Sequence, residues 1–153
     1  MIALLQRVSR GKVTVGGVIT GEIGKGLVIL LGVYKDDTEK EVDLLAEKTV
    51  NIRIFSDSND KMNQSLLDVG GAALVVSQFT LCADYRKGRR PSYLNAAEPE
   101  EAKALYEMYG EKIKSYGVDV QFGEFGAMMD VELVNDGPVT IALDSEIFAK
   151  PRR

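Results

Sequence analysis

Hydrophobic positions in the first part of the chain follow the pattern of β-strands. β-Branched residues flank Gly16 and Gly17, which is typical of a two-residue hairpin, because both glycines can take a positive φ. The apolar run at 27–33 is continuous, which indicates a strand buried on both faces. The glycine-rich segment 21–26 lies between two predicted strands. It is therefore interpreted as a turn, since a phosphate-binding loop needs a helix after it.

The spacing of apolar residues changes to a helical period in two segments. Thr38 and Glu41 form a capping-box pattern before apolar residues at helical spacing, which predicts a helix over 38–50. Pro99, followed by two glutamates, suits the first turn of a second helix. The apolar face of this second helix consists of Ala102, Leu105, Tyr106, Tyr109 and Ile113, and Gly117 suits its C-terminal end.

Strand patterns fill most of the remaining chain. Further strands are predicted at 52–55, 72–76, 118–122, 129–134 and 139–143. Two helices cannot cover this many strands, so the sheet must fold onto itself or pair with another subunit. The predicted fold class is α+β, with antiparallel or mixed β-sheets that form a barrel-like or layered β/β/α core and two helices. Residues 1–153 are predicted to form a single domain, with a loose C-terminal tail at 144–153.

The composition narrows the chemistry that this domain can perform. The chain has 153 residues and no histidine, which excludes Ser-His-Asp triads, Cys-His pairs and histidine metal sites. A single cysteine, Cys82, excludes an internal disulfide and multi-cysteine zinc sites. It is interpreted as a small buried residue rather than as a nucleophile. Neither a metal ion nor another cofactor is predicted.

Hydropathy and charge bear on location and partners. No apolar run approaches the roughly 20 residues of a membrane helix, and the first residues lack a signal-peptide pattern. The protein is therefore predicted to be cytoplasmic. Because the net charge is −4, binding to nucleic acid needs a local basic patch. One dense patch is present, at Arg86, Lys87, Arg89 and Arg90. A solvated loop and a phosphate contact are both possible, and the phosphate contact is favoured.

Two further segments could carry chemistry. The segment Ser-Gln-Phe-Thr-Leu at 77–81 follows a predicted buried strand, where a rigid support presents functional groups. Its hydroxyls could equally cap loose backbone groups. The segment Asn-Asp-Gly-Pro at 135–138 is by itself typical of a tight hairpin turn. A cis Gly137–Pro138 bond would instead aim two backbone carbonyls in nearly the same direction.

Several short motifs, in one order along the chain, carry a resemblance to a known family. They are segments 1–8 and 26–33 and the more specific Val-Val-Ser-Gln-Phe-Thr-Leu at 75–81, Arg-Pro-Ser at 90–92 and Leu-Val-Asn-Asp-Gly-Pro-Val-Thr at 133–140. On these segments the chain resembles the D-aminoacyl-tRNA deacylases over nearly its whole length. The resemblance implies a homodimer with active sites at the subunit boundary. It also implies hydrolysis of D-aminoacyl-tRNA to free D-amino acid and tRNA, and of glycyl-tRNA mischarged on tRNA(Ala).

The resemblance also implies roles for individual residues. The catalytic motif is matched by Ser77, Gln78, Phe79 and Thr80. The substrate-binding region is matched by Arg7, Phe125, Gly126, Met129, Gly137 and Pro138. In the family, the Gly-Pro motif is cis and reaches into the partner subunit's pocket, and the arginine orients it. The other three residues match the region that receives the terminal adenosine of tRNA.

The residues and the resemblance together lead to a mechanistic hypothesis. An aminoacyl ester is an activated bond, so a site without histidine can suffice. Backbone donors near Phe79 and Thr80 would stabilise the oxyanion while water attacks, and a covalent role of Thr80 is the rival hypothesis. Carbonyls of Gly137 and Pro138 would hold the substrate amino group and exclude an L side chain. A non-catalytic nucleic-acid-binding dimer and a plain oligomeric scaffold are the alternative functions.

Overall fold

The computed structural model of the protein describes residues 1–152, and the fold is α+β, as predicted. In chain order, the elements are β1 (Ile2–Val15), β2 (Val18–Ile23), β3 (Gly26–Gly32), α1 (Glu39–Asn51), β4 (Phe55–Ser56), β5 (Met62–Gln64), α2 (Leu66–Val69), β6 (Ala72–Ser77), a 3-10 helix (Phe79–Cys82), α3 (Pro99–Ser115), β7 (Val120–Phe122), β8 (Asp130–Asp144) and α4 (Ser145–Phe148). The predicted hairpin turn at Gly16 and Gly17 is confirmed, and both glycines have positive φ angles.

The long strand β1 organises the main sheet, because it pairs with three other strands. The strand order is β2-β1-β3-β6-β7, and β8 pairs with β1 as well. The first half of β1 is antiparallel to β3 and the second half to β2, while β8 runs antiparallel along both halves. In contrast, β6 is parallel to β3 and to β7. The sheet is therefore mixed.

The sheet curls until β2 lies against β7. Gly21 on β2 has no space for a side chain, because an added Cβ would lie 2.6 Å from the carbonyl oxygen of Phe122 on β7. The same Cβ would lie 2.9 Å from the side chain of Leu74 on β6. Inside the curl, the strands bury one apolar cluster that consists of Val8, Val13, Ile23, Val28, Leu74 and Val76. This nearly closed arrangement confirms the predicted barrel-like core.

The two predicted helices, α1 and α3, cover the other face of the sheet and form a second, larger core. Thr38 caps α1 with the predicted capping box, and Pro99 is the first residue of α3. Among the buried residues of this core, Tyr109 is the largest fully buried side chain. Its hydroxyl lies 2.7 Å from Thr49 Oγ1, and Thr49 donates in turn to the carbonyl of Leu45 at 2.6 Å. This hydrogen-bonded pair joins α3 to α1.

The Tyr109 hydroxyl supplies a prediction about stability. We expect Tyr109→Phe to lower the free energy of unfolding by about 1 kcal/mol, the usual contribution of a buried hydrogen bond. The loss stays small because the Thr49 hydroxyl keeps its acceptor at Leu45. Urea unfolding measures the change, and Tyr116→Phe, at a more exposed tyrosine after α3, is the control with an expected change below about 0.5 kcal/mol. Equal losses in both variants would contradict the prediction.

The structure differs from the sequence prediction at several short segments. The strand predicted at 52–55 is confined to Phe55–Ser56. Helix α2, which was not predicted, begins with a capping box between Ser65 and Asp68. Where a loose tail was predicted from 144 onward, the structure has α4, and Ser145 Oγ accepts a hydrogen bond of 2.7 Å from the Met1 ammonium group. Four-residue helices carry too few apolar positions for a periodic pattern to reveal them.

Candidate active site

The Ser-Gln-Phe-Thr segment lies where β6 ends and the 3-10 helix begins. Ser77 is the last residue of β6, and the backbone N–H of Gln78 donates to the carbonyl of Leu31 on β3 at 2.8 Å. Phe79 and Thr80 start the helix and are exposed. Their backbone N–H groups have no acceptor among residues 1–152, as is usual for the first N–H groups of a helix. Two free backbone donors are thus presented side by side.

The side chains of this segment contact one another and the chain that follows. Gln78 Nε2 donates to Thr80 Oγ1. Phe79 is 55% exposed. Its ring makes an edge-to-face contact with the ring of Tyr93, and the two ring centroids lie 5.1 Å apart. Tyr93 follows the segment 84–92, here called the basic loop, which carries the four cations Arg86, Lys87, Arg89 and Arg90. The aromatic contact therefore attaches this loop to the motif.

Arg7 on β1 lies opposite a bulge of β8 that contains the Gly-Pro motif. Gln6 pairs with Thr140 and Val8 with Asn135, so residues 136–139 bulge out opposite Arg7 alone. The Arg7 side chain is only 10% exposed. Its Nε donates to the carbonyl of Asp136 at 2.8 Å, and its Nη1 donates to the carbonyl of Ile54 at 2.8 Å. The guanidinium therefore ties the bulge to the segment that follows α1.

The bulge is also held by its own residues. The backbone N–H of Val139 donates to Asn135 Oδ1 at 2.8 Å, and Asn135 Nδ2 donates to Thr140 Oγ1 at 3.0 Å. The apex, residues 136–138, is exposed, and the Gly-Pro bond within it is cis. Of the two alternatives for 135–138, the hairpin turn is excluded, because the strands predicted on either side both belong to β8 and pair with β1. Tight turns and bulges use the same residue types, so only the strand pairing on either side of the segment distinguishes them.

Within one chain, the bulge and the Ser77–Thr80 motif lie apart. Arg7, beside the bulge, pairs with Leu27 of β3, whereas Ser77 pairs with Leu31. Four residues of a strand span about 13 Å, and the three strand spacings from β8 to β6 add about 14 Å across the sheet. This separation exceeds the reach of any side chain involved. The two motifs therefore do not line a common pocket in a single chain.

The region implied for adenosine binding is the loop after β7. Its residues are the partly buried Phe125 and Met129 and the exposed Gly126. The backbone N–H of Gly123 donates to the carbonyl of Val75 on β6 at 3.0 Å, which brings this loop toward the same end of β6 as Ser77. The Phe125 ring packs on Tyr106 with centroids 5.7 Å apart. Phe125 also lines an open cleft of about 530 Å³ beside α3.

The basic loop is exposed, and its four cations are not equivalent. Backbone hydrogen bonds of 2.8 Å in both directions pair Asp84 with Ser92 and close the base of the loop. The Arg86 guanidinium donates to both carboxylate oxygens of Asp84, at 2.9 and 2.6 Å. These hydrogen bonds lower the pKa of Asp84 to about 2. Within residues 1–152, Lys87, Arg89 and Arg90 have no carboxylate partner.

Other groups in the described part of the chain offer little chemistry. Cys82 is buried, as predicted, and its Sγ lies 3.6 Å from the carbonyl oxygen of Val33. Burial raises the pKa of the Cys82 thiol to about 11, so the thiol is neutral near pH 7. No group of three metal-ligating side chains occurs among residues 1–152. In the same residues, no helix has the length and apolar character that a membrane span requires.

Two solved structures have folds similar to this one. The c-Myc DNA Unwinding Element Binding Protein superimposes with a TM-score of 0.89 and is 40% identical, with 95% of this chain and 99% of that chain covered. A probable eukaryotic D-amino acid tRNA deacylase has a TM-score of 0.80 with 93% of this chain and 97% of that chain covered. The identity to the second protein is 21%, so this likeness supports the fold alone.

The sequence itself matches one family throughout. The model of the D-Tyr-tRNA(Tyr) deacylase family matches residues 4–144. The D-aminoacyl-tRNA deacylase of Roseiflexus castenholzii is 59% identical over 152 residues, which cover 99% of this chain and 97% of that protein. The D-aminoacyl-tRNA deacylase of Clostridioides difficile is also 59% identical, over 145 residues that cover 95% of this chain and 97% of that protein. The protein therefore belongs to the D-Tyr-tRNA(Tyr) deacylase family.

Proposed function

We propose that this protein hydrolyses the ester bond of D-aminoacyl-tRNA and so removes D-amino acids from tRNA before translation. Family membership and the relatives with this activity in their names support the proposal. The structural observation that carries it is the pair of free backbone N–H groups at Phe79 and Thr80, which suit a developing oxyanion. Charged tRNA is used in the cytoplasm, and we propose that the protein acts there.

Two copies of the chain build each active site. Because the Gly-Pro bulge and the Ser77–Thr80 motif lie apart in one chain, a second copy has to bring its bulge to the motif. The exposed apex at 136–138 is available for this contact. Val131 and Val134, which are 37% and 41% exposed on β8, supply apolar surface beside it. A two-fold symmetric contact then forms two equal sites in each dimer.

Hydrolysis begins with attack of water on the ester carbonyl carbon. The N–H groups of Phe79 and Thr80 hold the carbonyl oxygen as it becomes negative. The 2′-hydroxyl of the terminal ribose orients the attacking water. Collapse of the intermediate releases the 3′ oxygen of the ribose, which takes up a proton, together with the free D-amino acid. In this mechanism Ser77 and Gln78 line the site, and Gln78 orients Thr80.

Selection by handedness comes from the bulge of the partner subunit. The carbonyls of the partner subunit's Gly137 and the partner subunit's Pro138 accept hydrogen bonds from the amino group of the substrate. The same main chain occupies the space that an L side chain would need. Because no side-chain pocket reads the amino acid, many D-amino acids are accepted. Glycine mischarged on tRNA(Ala) is accepted too, since it has no side chain to exclude.

The tRNA is held on two sides of the catalytic motif. The terminal adenosine is received by Phe125, Gly126 and Met129. Phosphates are contacted by Arg86, Lys87, Arg89 and Arg90. Arg86 contributes less than the other three cations, because Asp84 already neutralises it. Removal of one free cation is expected to weaken tRNA binding and to reduce its dependence on salt.

The role of Thr80 can be tested by substitution. We expect Thr80→Ala to retain kcat within about threefold of wild type, because the backbone N–H of residue 80 remains and the hydroxyl is only an acceptor from Gln78. Single-turnover hydrolysis of D-tyrosyl-tRNA measures this, with Thr80→Ser as the control that keeps the hydroxyl. A loss of about 1000-fold in the alanine variant, absent in the serine variant, would establish the covalent route instead.

The proposed function is tested by comparing D-tyrosyl-tRNA with L-tyrosyl-tRNA as substrates. We expect the D ester to be hydrolysed at least about 100-fold faster than the L ester. Brisk hydrolysis of the L ester would overturn the account of selection. Salt-sensitive binding of tRNA without turnover would favour a non-catalytic nucleic-acid-binding dimer. The name of the 40% identical structural neighbour, c-Myc DNA Unwinding Element Binding Protein, supports this alternative. If the protein neither bound tRNA nor hydrolysed the ester, an oligomeric scaffold would be the remaining function.

A mixture of two inactive variants tests the two-copy site. Gly137→Ala alters the bulge, and Phe79→Pro removes one of the two free N–H groups. If the bulge acts on the partner, a mixed dimer has one site with both defects and one site with none. Refolding equal amounts together should therefore restore about a quarter of wild-type activity. No recovery in a mixture shown to contain mixed dimers would place both motifs in the site of one chain.

A further inference from the structure

We propose that Tyr85 is a stacking platform for an unpaired base near the 3′ end of the tRNA, ahead of the terminal adenosine. The free cations of the basic loop hold the neighbouring phosphates. This inference rests on the proposed function and extends it from the ester to the polynucleotide. It assigns Tyr85 to the binding of tRNA and leaves the chemistry to the Ser77–Thr80 motif.

Tyr85 has no packing role in the fold. Its side chain is 78% exposed, and within residues 1–152 it has no aromatic neighbour, no cation over its ring and no hydrogen bond from its hydroxyl. It directly precedes two cations of the loop, Arg86 and Lys87. Sites for single-stranded nucleic acid combine such exposed aromatic rings with cations, because bases stack on the rings while phosphates pair with the charges.

The backbone around Tyr85 is held in place on both sides. Before it, Asp84 is paired with Ser92 by two backbone hydrogen bonds of 2.8 Å. After it, the backbone N–H of Arg86 donates to Asp84 Oδ1 at 3.1 Å, and the guanidinium binds the same carboxylate. An aromatic ring on a preordered backbone loses little conformational entropy when a base stacks on it. The Asp84–Arg86 pair therefore organises the platform, and Arg86 contributes less to phosphate binding than the free cations of the loop do.

The chain at the base of the loop contacts the catalytic motif. Tyr93 adjoins Ser92 at the base of the loop and contacts the Phe79 ring. Tyr85 and Tyr93 directly follow the two residues of the antiparallel Asp84–Ser92 bridge, so we expect both rings to lie near the base of the loop. A base stacked on Tyr85 would thus belong to a nucleotide close to the one whose ester is held at Phe79.

The charge distribution favours the same place. Four cations and Asp84 give the loop a charge of +3, so the rest of this −4 chain carries −7. Phosphates are repelled by most of the surface and attracted to the loop, which orients an approaching tRNA. Because Arg86 is neutralised by Asp84, the attraction comes from Lys87, Arg89 and Arg90.

The test uses the wild-type dimer with two substrates, full-length D-tyrosyl-tRNA and the D-tyrosyl ester of adenosine. The adenosine ester contains the reacting bond but neither the preceding bases nor any phosphate. We expect Tyr85→Ser to raise KM for D-tyrosyl-tRNA about tenfold, with kcat unchanged and no effect on the adenosine ester. Tyr85→Phe should keep the wild-type KM, since the ring stacks without its hydroxyl.

Two controls separate stacking from general effects. Tyr116→Ser removes an exposed tyrosine that follows α3. The chain runs from there into the start of β7, which pairs with Ala73 at the start of β6, whereas the catalytic motif follows the end of β6. This variant should alter the kinetics of neither substrate. Arg89→Gln should lower the salt dependence of KM for tRNA by a slope of about 0.7, whereas Arg86→Gln should change it less. These differences are expected because, of these two arginines, Arg86 is paired with Asp84 whereas Arg89 has no carboxylate partner among residues 1–152.

Each other outcome has a definite meaning. An equal loss on both substrates in Tyr85→Ser would overturn the proposal, because Tyr85 would then act on the catalytic motif or on folding. An unchanged KM for tRNA would overturn it as well. Failure of the proposed function shows up separately, because the wild-type protein would then hydrolyse neither the tRNA nor the adenosine ester, whatever residue occupies position 85.

Discussion

Replacing Gly137 with alanine is expected to reduce kcat/KM for D-tyrosyl-tRNA at least about 100-fold, the usual consequence of displacing a positioning group by an ångström. Gly137 has a φ of +144°, which L residues rarely adopt. An added Cβ would lie 2.9 Å from the backbone nitrogen of Val139 and 3.1 Å from Arg7 Nη2. The bulge would have to move away from Arg7, and its carbonyls would no longer meet the amino group of the substrate.

The fold should largely survive this substitution, because the apex of the bulge is exposed. We expect a loss of about 1–3 kcal/mol in the free energy of unfolding, typical of one strained residue. Gly17→Ala is the matched control, since Gly17 also has a positive φ, +82°, but no atom within 4 Å of an added Cβ. It should carry a comparable stability cost and retain activity. Activity of Gly137→Ala within threefold of the control would contradict the assigned role of the bulge.

Replacing Phe79 with proline is expected to lower kcat by about 100-fold to 1000-fold, the effect of losing one donor to an oxyanion. Proline has no backbone N–H, so the substitution removes one of the two free donors. The fixed φ of proline suits the first position of the 3-10 helix. Proline also disfavours helical backbone angles at the residue before it, and Gln78, with φ −141° and ψ 79°, does not have them. The helix itself should therefore persist.

Phe79→Ala is the matched control for this experiment, because it keeps the N–H and removes the same ring. The ring is more than half exposed and contacts Tyr93, so its loss should cost a few-fold in kcat/KM through the basic loop. Rapid-quench kinetics with saturating D-tyrosyl-tRNA compare the two variants. If alanine and proline reduce kcat equally, the ring and not the N–H matters, and the oxyanion assignment is wrong.

The proposed arrangement divides the work between two rigid backbone segments from different subunits. The segment at Phe79 and Thr80 offers donors and the bulge at Gly137 and Pro138 offers acceptors, so neither needs a titrating side chain. This division agrees with a chain that contains no histidine. It also means that activity per chain should fall when the protein is diluted until the dimer dissociates, because a single chain contains only half of each site.

The sequence by itself determined most of the local structure. The hairpin at Gly16 and Gly17, the buried strands β3 and β6 and the helices α1 and α3 lie where their patterns predict them, because turn chemistry, capping and apolar period act over a few neighbouring residues. The family was also readable from the motifs at 75–81 and 133–140, and the family model and the relatives confirm it. The roles of the individual site residues stay predictions.

Only the tertiary structure decided where the candidate site residues lie relative to one another. Asn135, Gly137 and Pro138 read locally as a hairpin turn, but continued pairing with β1 on both sides makes the segment a bulge. The spacing between that bulge and Ser77 depends on the register of β8, β1, β3 and β6, and most of these strands pair with partners that are distant along the chain. The free N–H groups at Phe79 and Thr80 likewise follow from where β6 stops pairing with β3. Long-range hydrogen bonding sets all three features, whereas short-range preferences set the elements that it joins.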